Sequence, residues 1–200
     1  MTRLYLVRHG AVEARKAFYG HLDVPLSTEG NDQMRRAADA LANVVPAAVY
    51  ASDLQRAVVG AQLIAERHGL TPRIEPAFRE MHLGVVEGLS WIEVRERHPE
   101  LSARRYRDMH SYRFPGGENL QDVAARALPA LRRLLEEHDG QTTILVAHNS
   151  VNRIILGEAL GLEPHRIFDF EQDFGCINTI QLDDGRWRVG LLNWTPGGPK

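Results

Sequence analysis

The sequence predicts an α/β fold, a three-layer α/β/α arrangement around a mainly parallel sheet. Two observations carry this. Short apolar runs alternate with segments of helical periodicity, as at Leu4-Tyr5-Leu6-Val7, Ala47-Ala48-Val49-Tyr50-Ala51 and Thr143-Ile144-Leu145-Val146-Ala147. The last of these is continuous and rich in β-branched residues, as expected of a strand covered on both faces. Near the end, Cys176 to Leu182 and Trp187 to Leu192 flank Asp183-Asp184-Gly185, which predicts a C-terminal β-hairpin.

Taken in order, Arg3 to Val7 reads as a buried strand stopping at Arg8-His9-Gly10, followed by a loop to Ser27. Ser27 or Thr28 caps a helix to about Asn43, with Met34, Ala37, Ala38 and Leu41 on its apolar face. A second strand, Ala47 to Ala51, leads to Ser52-Asp53-Leu54-Gln55. That Ser-x-x-Gln spacing predicts a capping box, a helix beginning just after Ser52, and Arg56 on its first full turn, with Gly69 closing the other end. Arg73 to Glu75 reads as an edge strand and Phe78 to Gly84 as a loop. Ser90-Trp91-Ile92-Glu93 is another capping box, for a helix stopping before Pro99. Asn119 caps a long helix to about His138, with a kink expected at Pro129. The Thr143 strand ends at His148-Asn149-Ser150, and a helix from about Val151 to Leu160 is closed by Gly161. We read residues 1–200 as a single domain, with a small, mostly helical insertion at about 84–115 over the active site.

Composition narrows the function. The chain has 200 residues, is 44% hydrophobic and carries a net charge of −2. It can bury a sizeable core without a metal or disulfide, and its charge argues against a nucleic-acid surface. A single cysteine, Cys176, excludes an internal disulfide and suits a reducing, cytoplasmic setting. We read no signal peptide and no membrane span. The nine histidines show no metal-ligand spacing, and no phosphate-cradling Gly-rich loop precedes Lys-Ser or Lys-Thr, so no cofactor is expected. Trp91, Trp187 and Trp194 read as packing residues.

Three strand ends share one pattern: an apolar run, then a basic or imidazole residue, then a turn. They supply Arg8 and His9, Arg56, and His148. In a parallel sheet these project at one edge, where open α/β sheets bind ligands. Gathered there, two arginines and two histidines would make a cationic pocket suited to a phosphoryl dianion. The alternative is that they point apart and pair with carboxylates such as Asp53 or Glu80.

Several motifs together carry a resemblance. They are Arg8-His9-Gly10, Gly20-x-x-Asp23-x-Pro25-Leu26-Ser27-x-x-Gly30, Ser52-x-Leu54-x-Arg56-Ala57, Glu80 with Gly84-x-x-Glu87-Gly88, Pro115-Gly116-Gly117-Glu118 and the His148 strand end. In this order they resemble the histidine phosphatase superfamily, the phosphoglycerate-mutase-like fold. The resemblance implies His9 as a nucleophile forming phosphohistidine, with its other ring nitrogen donating to a backbone carbonyl. It also implies Arg8, Arg56 and His148 as phosphate ligands and Glu80 as general acid, where the residues alone favour a salt bridge to Arg79 or a neighbouring arginine. Gly20 and Asn149 are taken as further substrate-binding positions, Asn149 standing where Gly is common.

The pattern also breaks. Ala11-Val12 replaces a commoner acidic-threonine pair, and Arg15 or Lys16 stands where an Asn is often found. The cluster Arg104-Arg105-Tyr106-Arg107 reads as a solvated helix face, or as a contact for an anionic substrate tail.

The expected activity is metal-independent hydrolysis of a small phosphorylated metabolite, with α-ribazole 5'-phosphate or a sugar phosphate as candidates. The alternatives are a phosphoglycerate mutase, because the pocket is shared, and a non-catalytic binder of phosphorylated ligands. Both monomer and homodimer remain open.

Overall fold

The computed structural model describes residues 1–13, 17–101 and 111–198. Arg15, Lys16 and the Arg104 to Arg107 cluster lie outside the described residues. Six strands form one sheet: β1 (Thr2–Arg8), β2 (Ala48–Ala51), β3 (Arg73–Ile74), β4 (Thr142–Ala147), β5 (Ile177–Asp183) and β6 (Arg186–Val189), in the order β3-β2-β4-β1-β5-β6. The first four in that order run parallel, and β5 and β6 are antiparallel beside β1. The helices are α1 (Thr28–Ala40), α2 (Gln55–Glu66), α3 (Trp91–Arg97), α4 (Leu120–Glu137) and α5 (Asn149–Leu160). Among the described residues no helix is long and apolar enough to cross a membrane.

The period-two alternation of strand side chains builds the layers. Leu4, Leu6, Ala48, Tyr50, Leu145 and Ala147 face the apolar sides of α4 and α5, including Ala127, Leu131, Val151 and Ile155. Val7, Val49, Ala51, Ile144 and Val146 face α1 and α2 through Met34, Ala37, Ala61 and Ile64. Because β4 and β2 are clothed on both sides, their residues are buried almost throughout. A smaller cluster of Val86, Val94, Leu101 and Phe114 takes in Phe18, Trp91 and Tyr112, so the segment after Glu80 has its own apolar centre.

Both later capping signals form as expected. Ser90 and Glu93 exchange reciprocal bonds at the start of α3, and Asn119 and Asp122 do the same for α4, which continues through Pro129. The hairpin turn puts Asp184 and Gly185 at φ 46° and 73°, the left-handed pair that a tight two-residue turn needs. The expected Ser52 cap is corrected. Helix α2 starts at Gln55 and has no side-chain cap, because the Ser52 hydroxyl lies 2.6 Å from His148 Nε2. Asp23 takes over at that end, accepting from the Gln55 amide at 2.7 Å. Two boundaries also move: α1 ends at Ala40, three residues before Asn43, and α5 begins at Asn149 with His148 as its N-cap.

Two motif glycines are explained by one contact. A Cβ on Gly10 would lie 2.2 Å from the Gly30 carbonyl oxygen, and one on Gly30 would lie 1.9 Å from that of Ala11. Backbone meets backbone here, so neither side can yield without moving β1 relative to α1. Gly30→Ala is therefore expected to destabilise the protein by about 1–3 kcal/mol, the usual cost of overpacking, read as a lower urea midpoint at unchanged m.

Candidate active site

Strand register decides which side chains meet. Arg8 pairs with Ala147 across β1 and β4, so the next residues, His9 and His148, leave the sheet side by side with ring centroids 5.0 Å apart. Ala51 pairs with Val146, which brings Ser52 to the same edge. Arg56 follows on the first turn of α2, and Glu80 follows β3 after a short 3-10 turn, Pro76–Phe78.

His9 is 1% exposed, and its Nδ1 lies 2.7 Å from the Gly10 carbonyl oxygen. A carbonyl only accepts, so Nδ1 carries the proton and Nε2 keeps its lone pair. His148 is fully buried, and its Nδ1 has no partner among the described residues. Burial first, and then the positive charges of Arg56 and Arg8, hold His9 well below the usual histidine range. His148 is lowered in the same way, with burial again the largest cause. Both rings are therefore neutral near neutral pH.

The two arginines are held by groups that leave their charge uncancelled. Arg56, fully buried, donates from Nη1 to Leu22 O at 2.8 Å and from Nη2 to Gly20 O at 2.6 Å, and lies over the Tyr19 ring. Arg8 donates to Gln172 O and sits 3.9 Å from the centroid of Phe174. The Nε of each guanidinium is buried without a partner among the described residues. Asp53 is engaged elsewhere, bound bidentately by Arg79 at 2.6 Å per bond, and no described carboxylate forms an ion pair with Arg8 or Arg56. The alternative in which Asp53 or Glu80 forms an ion pair with these cations is overturned, as is a salt bridge from Glu80 to Arg79; the Glu80 charge acts on Arg56 only at longer range.

Glu80 instead accepts backbone N–H groups, from Met81 at 2.8 Å and from Ser150 at the start of α5 at 3.2 Å. Its loop is clamped from α4 by Arg126, whose guanidinium donates to the carbonyls of Ala77, Arg79 and Glu80 and to both carboxylate oxygens of Glu118. Those contacts use all five donors of the guanidinium. Glu118 belongs to the Pro115-Gly116-Gly117-Glu118 turn and also accepts the His82 amide at 2.9 Å.

Arg8, Gly20, Glu80 and Asn149 line one cavity of about 280 Å3. Its remaining wall is largely apolar, with Phe18, Tyr19, Met81, Tyr112, Phe114 and Phe168. His9, Arg56 and His148 are not among its lining residues; the His9 ring lies edge-on to that of Tyr19, with centroids 6.4 Å apart. Gly20 spends its carbonyl on Arg56, and a Cβ there would meet Glu87 Oε1 at 2.2 Å. The Asn149 side chain is held from the other side, its Oδ1 accepting from Arg153 Nε at 3.0 Å. Cys176 is buried, which pushes its thiol up to about 11 and removes it as a rival nucleophile.

Orphaned buried donors beside two uncancelled guanidiniums are the signature of a site built for an anion. A family model described as the histidine phosphatase superfamily, branch 1, matches residues 4–195. The chain belongs to this superfamily.

Other members of the histidine phosphatase superfamily cover the chain almost end to end. It is 34% identical over 195 residues to a metal-independent phosphoserine phosphatase of Arabidopsis thaliana, covering 94% of this chain and 80% of that protein. It superposes on a mycobacterial glucosyl-3-phosphoglycerate phosphatase with a TM-score of 0.87 at 28% identity, covering 96% and 98% of the two chains. The α-ribazole phosphatase of Shigella flexneri gives a TM-score of 0.89 at 26% identity, with 96% of each chain covered.

Sequence reasoning missed several neighbours of this superfamily site. Ser52 was legible as a motif residue and a helix cap, but its contact with His148 was not, because that partner is 96 residues away. Arg126, on a helix face, carries no local signal that it grips three carbonyls of another loop. Phe174 and Gln172 stand in a segment, Gln172 to Asn178, whose resemblance to α-ribazole- and sugar-phosphatase members is legible, but nothing local shows that they lie under and beside Arg8.

The buried neutral histidines have a consequence for stability. Below the unfolded-state pKa of about 6.5, the unfolded chain binds protons that native His9 and His148 refuse. Stability should therefore fall as pH drops from about 7.5 to 5.5, by up to ~1.4 kcal/mol per pH unit for each ring. Urea melts across that range should show a shallower fall for His148→Gln, which removes one of the two protons.

Proposed function

We propose that the protein is a metal-independent phosphomonoesterase that hydrolyses a small phosphorylated metabolite through a phosphohistidine on His9. The observation that carries this reading is the free Nε2 lone pair of a neutral His9 held against two uncancelled guanidiniums. Residues 1–200 act as one domain, with the insertion at about 84–115 meeting the cavity through Tyr112 and Phe114.

In this reading His9 Nε2 attacks phosphorus in line, and the ester oxygen leaves on the opposite side. Arg8, Arg56 and His148 stabilise charge on the equatorial oxygens as it develops. Glu80 gives a proton to the departing oxygen, then takes one from the water that attacks the phosphohistidine, releasing phosphate and restoring His9. For His148 to donate, its proton must sit on Nδ1. Ser52 favours this: its oxygen takes the Leu54 amide at 3.4 Å, leaving its own proton for His148 Nε2. Ser52 is thus a positioning residue that selects the tautomer. Gly20 serves through its carbonyl by orienting Arg56, and Asn149 borders the substrate.

The reading is tested with p-nitrophenyl phosphate in the presence of EDTA. Turnover and acid-labile phosphate on the protein are expected, and His9→Ala should abolish both without unfolding the chain. Wild-type activity in that variant would move the nucleophile, to His148 first. Absence of both signals in the wild type would leave a phospho-ligand binder, and phosphoryl return to a phosphoglycerate, assayed in parallel, would mark a mutase. Ser52→Ala should lower kcat/KM by about 10–100-fold, in line with losing one oriented donor, while Ser52→Thr restores most of it.

A further inference from the structure

We infer that the leaving-group side of the cavity is a subsite for an apolar, ring-bearing alcohol without a second anionic group. This rests on the phosphatase reading and deepens it. Beside Arg8 and Glu80 the cavity wall is built by Phe18, Met81, Tyr112, Phe114 and Phe168, while Tyr19 joins it to the Arg56 guanidinium and the His9 ring. Tyr112 and Phe114 meet edge to face at 5.7 Å, and Phe18 and Trp91 at 6.2 Å, so these rings are packed as a unit by the small core beside α3. At about 280 Å3 the cavity is near the lower limit for ligand pockets, roughly 300 Å3, and suits one or two rings beyond the phosphoryl group.

Charge selects in the same direction. Among the described lining residues the only cation is Arg8, which belongs to the phosphate end, and the only carboxylate is Glu80. The nearby Arg153 is buried and spent on Ile167 O, Phe170 O and Asn149, with Glu171 3.7 Å from its remaining nitrogen. Arg126 is wholly engaged with the Glu80 loop and Glu118. A carboxylate on the leaving alcohol would be stripped of water among aromatic rings, with no described cation to meet it. A ring in the same place removes its own apolar surface and that of the wall from water. Arg104, Arg105 and Arg107 lie outside the described residues, and the measurement below reads any contribution they make.

The test compares phenethyl phosphate with ethyl phosphate and O-phosphoserine, esters of aliphatic alcohols, so that the ring rather than an activated leaving group is read. Phenethyl phosphate is expected to exceed both in kcat/KM, and O-phosphoserine by about a hundredfold, the upper range for apolar-pocket discrimination. Phe168→Ala and Tyr112→Ala should each narrow that gap several-fold, chiefly through KM. Tyr112→Lys, which adds the missing cation, should raise O-phosphoserine relative to phenethyl phosphate. Equal or better turnover of O-phosphoserine by the wild type, or a gap that none of the three variants moves, overturns the subsite. If no ester is hydrolysed, p-nitrophenyl phosphate included, it is the phosphatase reading that fails. The subsite is then read by calorimetry with phenethylphosphonate against phosphonopropanoate, and tighter binding of the latter overturns it.

Discussion

Two guanidinium groups are held against two buried, neutral imidazoles, and much of the surrounding structure exists to make that arrangement tolerable. Burying an arginine without a carboxylate costs several kcal/mol unless polar groups take its place. Here the replacement is dipolar. The carbonyls of Gly20 and Leu22 receive Arg56, the Gln172 carbonyl receives Arg8, and aromatic faces cover the planes of both. Carbonyls and rings orient a guanidinium while leaving its charge available to an anion, which a paired carboxylate would not.

The same economy appears in the support of Glu80. Its side chain rests on backbone N–H groups and its loop is anchored through Arg126 and Glu118. The ion pair that strengthens this region, Asp53 with Arg79, lies one residue from Ser52 on one side and one residue from Glu80 on the other. It ties the β2 edge to the Glu80 loop without placing a carboxylate against the pocket. Rigidity is thereby separated from electrostatics: the salt bridges brace the loops, and the backbone dipoles set the charge of the site.

Much of the fold was legible because it rests on local rules. The apolar runs marked β1, β2 and β4, the Ser90 and Asn119 caps started α3 and α4, and the Asp184-Gly185 pair turned the hairpin. The Ser52 expectation failed for an instructive reason. Ser-x-x-Gln satisfies the spacing of a cap, but a side-chain oxygen beside a buried imidazole relieves a larger desolvation cost there than at a helix end, where Asp23 supplies the acceptor. The same competition explains the earlier start of α5, because His148 must occupy the N-cap to face His9.

The sequence by itself determined the alternation of strands and helices, the one sheet edge that the basic and imidazole residues share, and the residue types at three strand ends, since these follow from periodicity and strand termination. Its ordered motifs also carried the superfamily. Only the tertiary structure decided which groups touch: Asp53 with Arg79, Ser52 with His148, Arg126 around the Glu80 loop, and a ring-lined wall beside Arg8 and Glu80. Each of these joins residues more than twenty positions apart, or from separate elements. Their meeting is set by strand register and helix packing, and no local pattern in the chain encodes it.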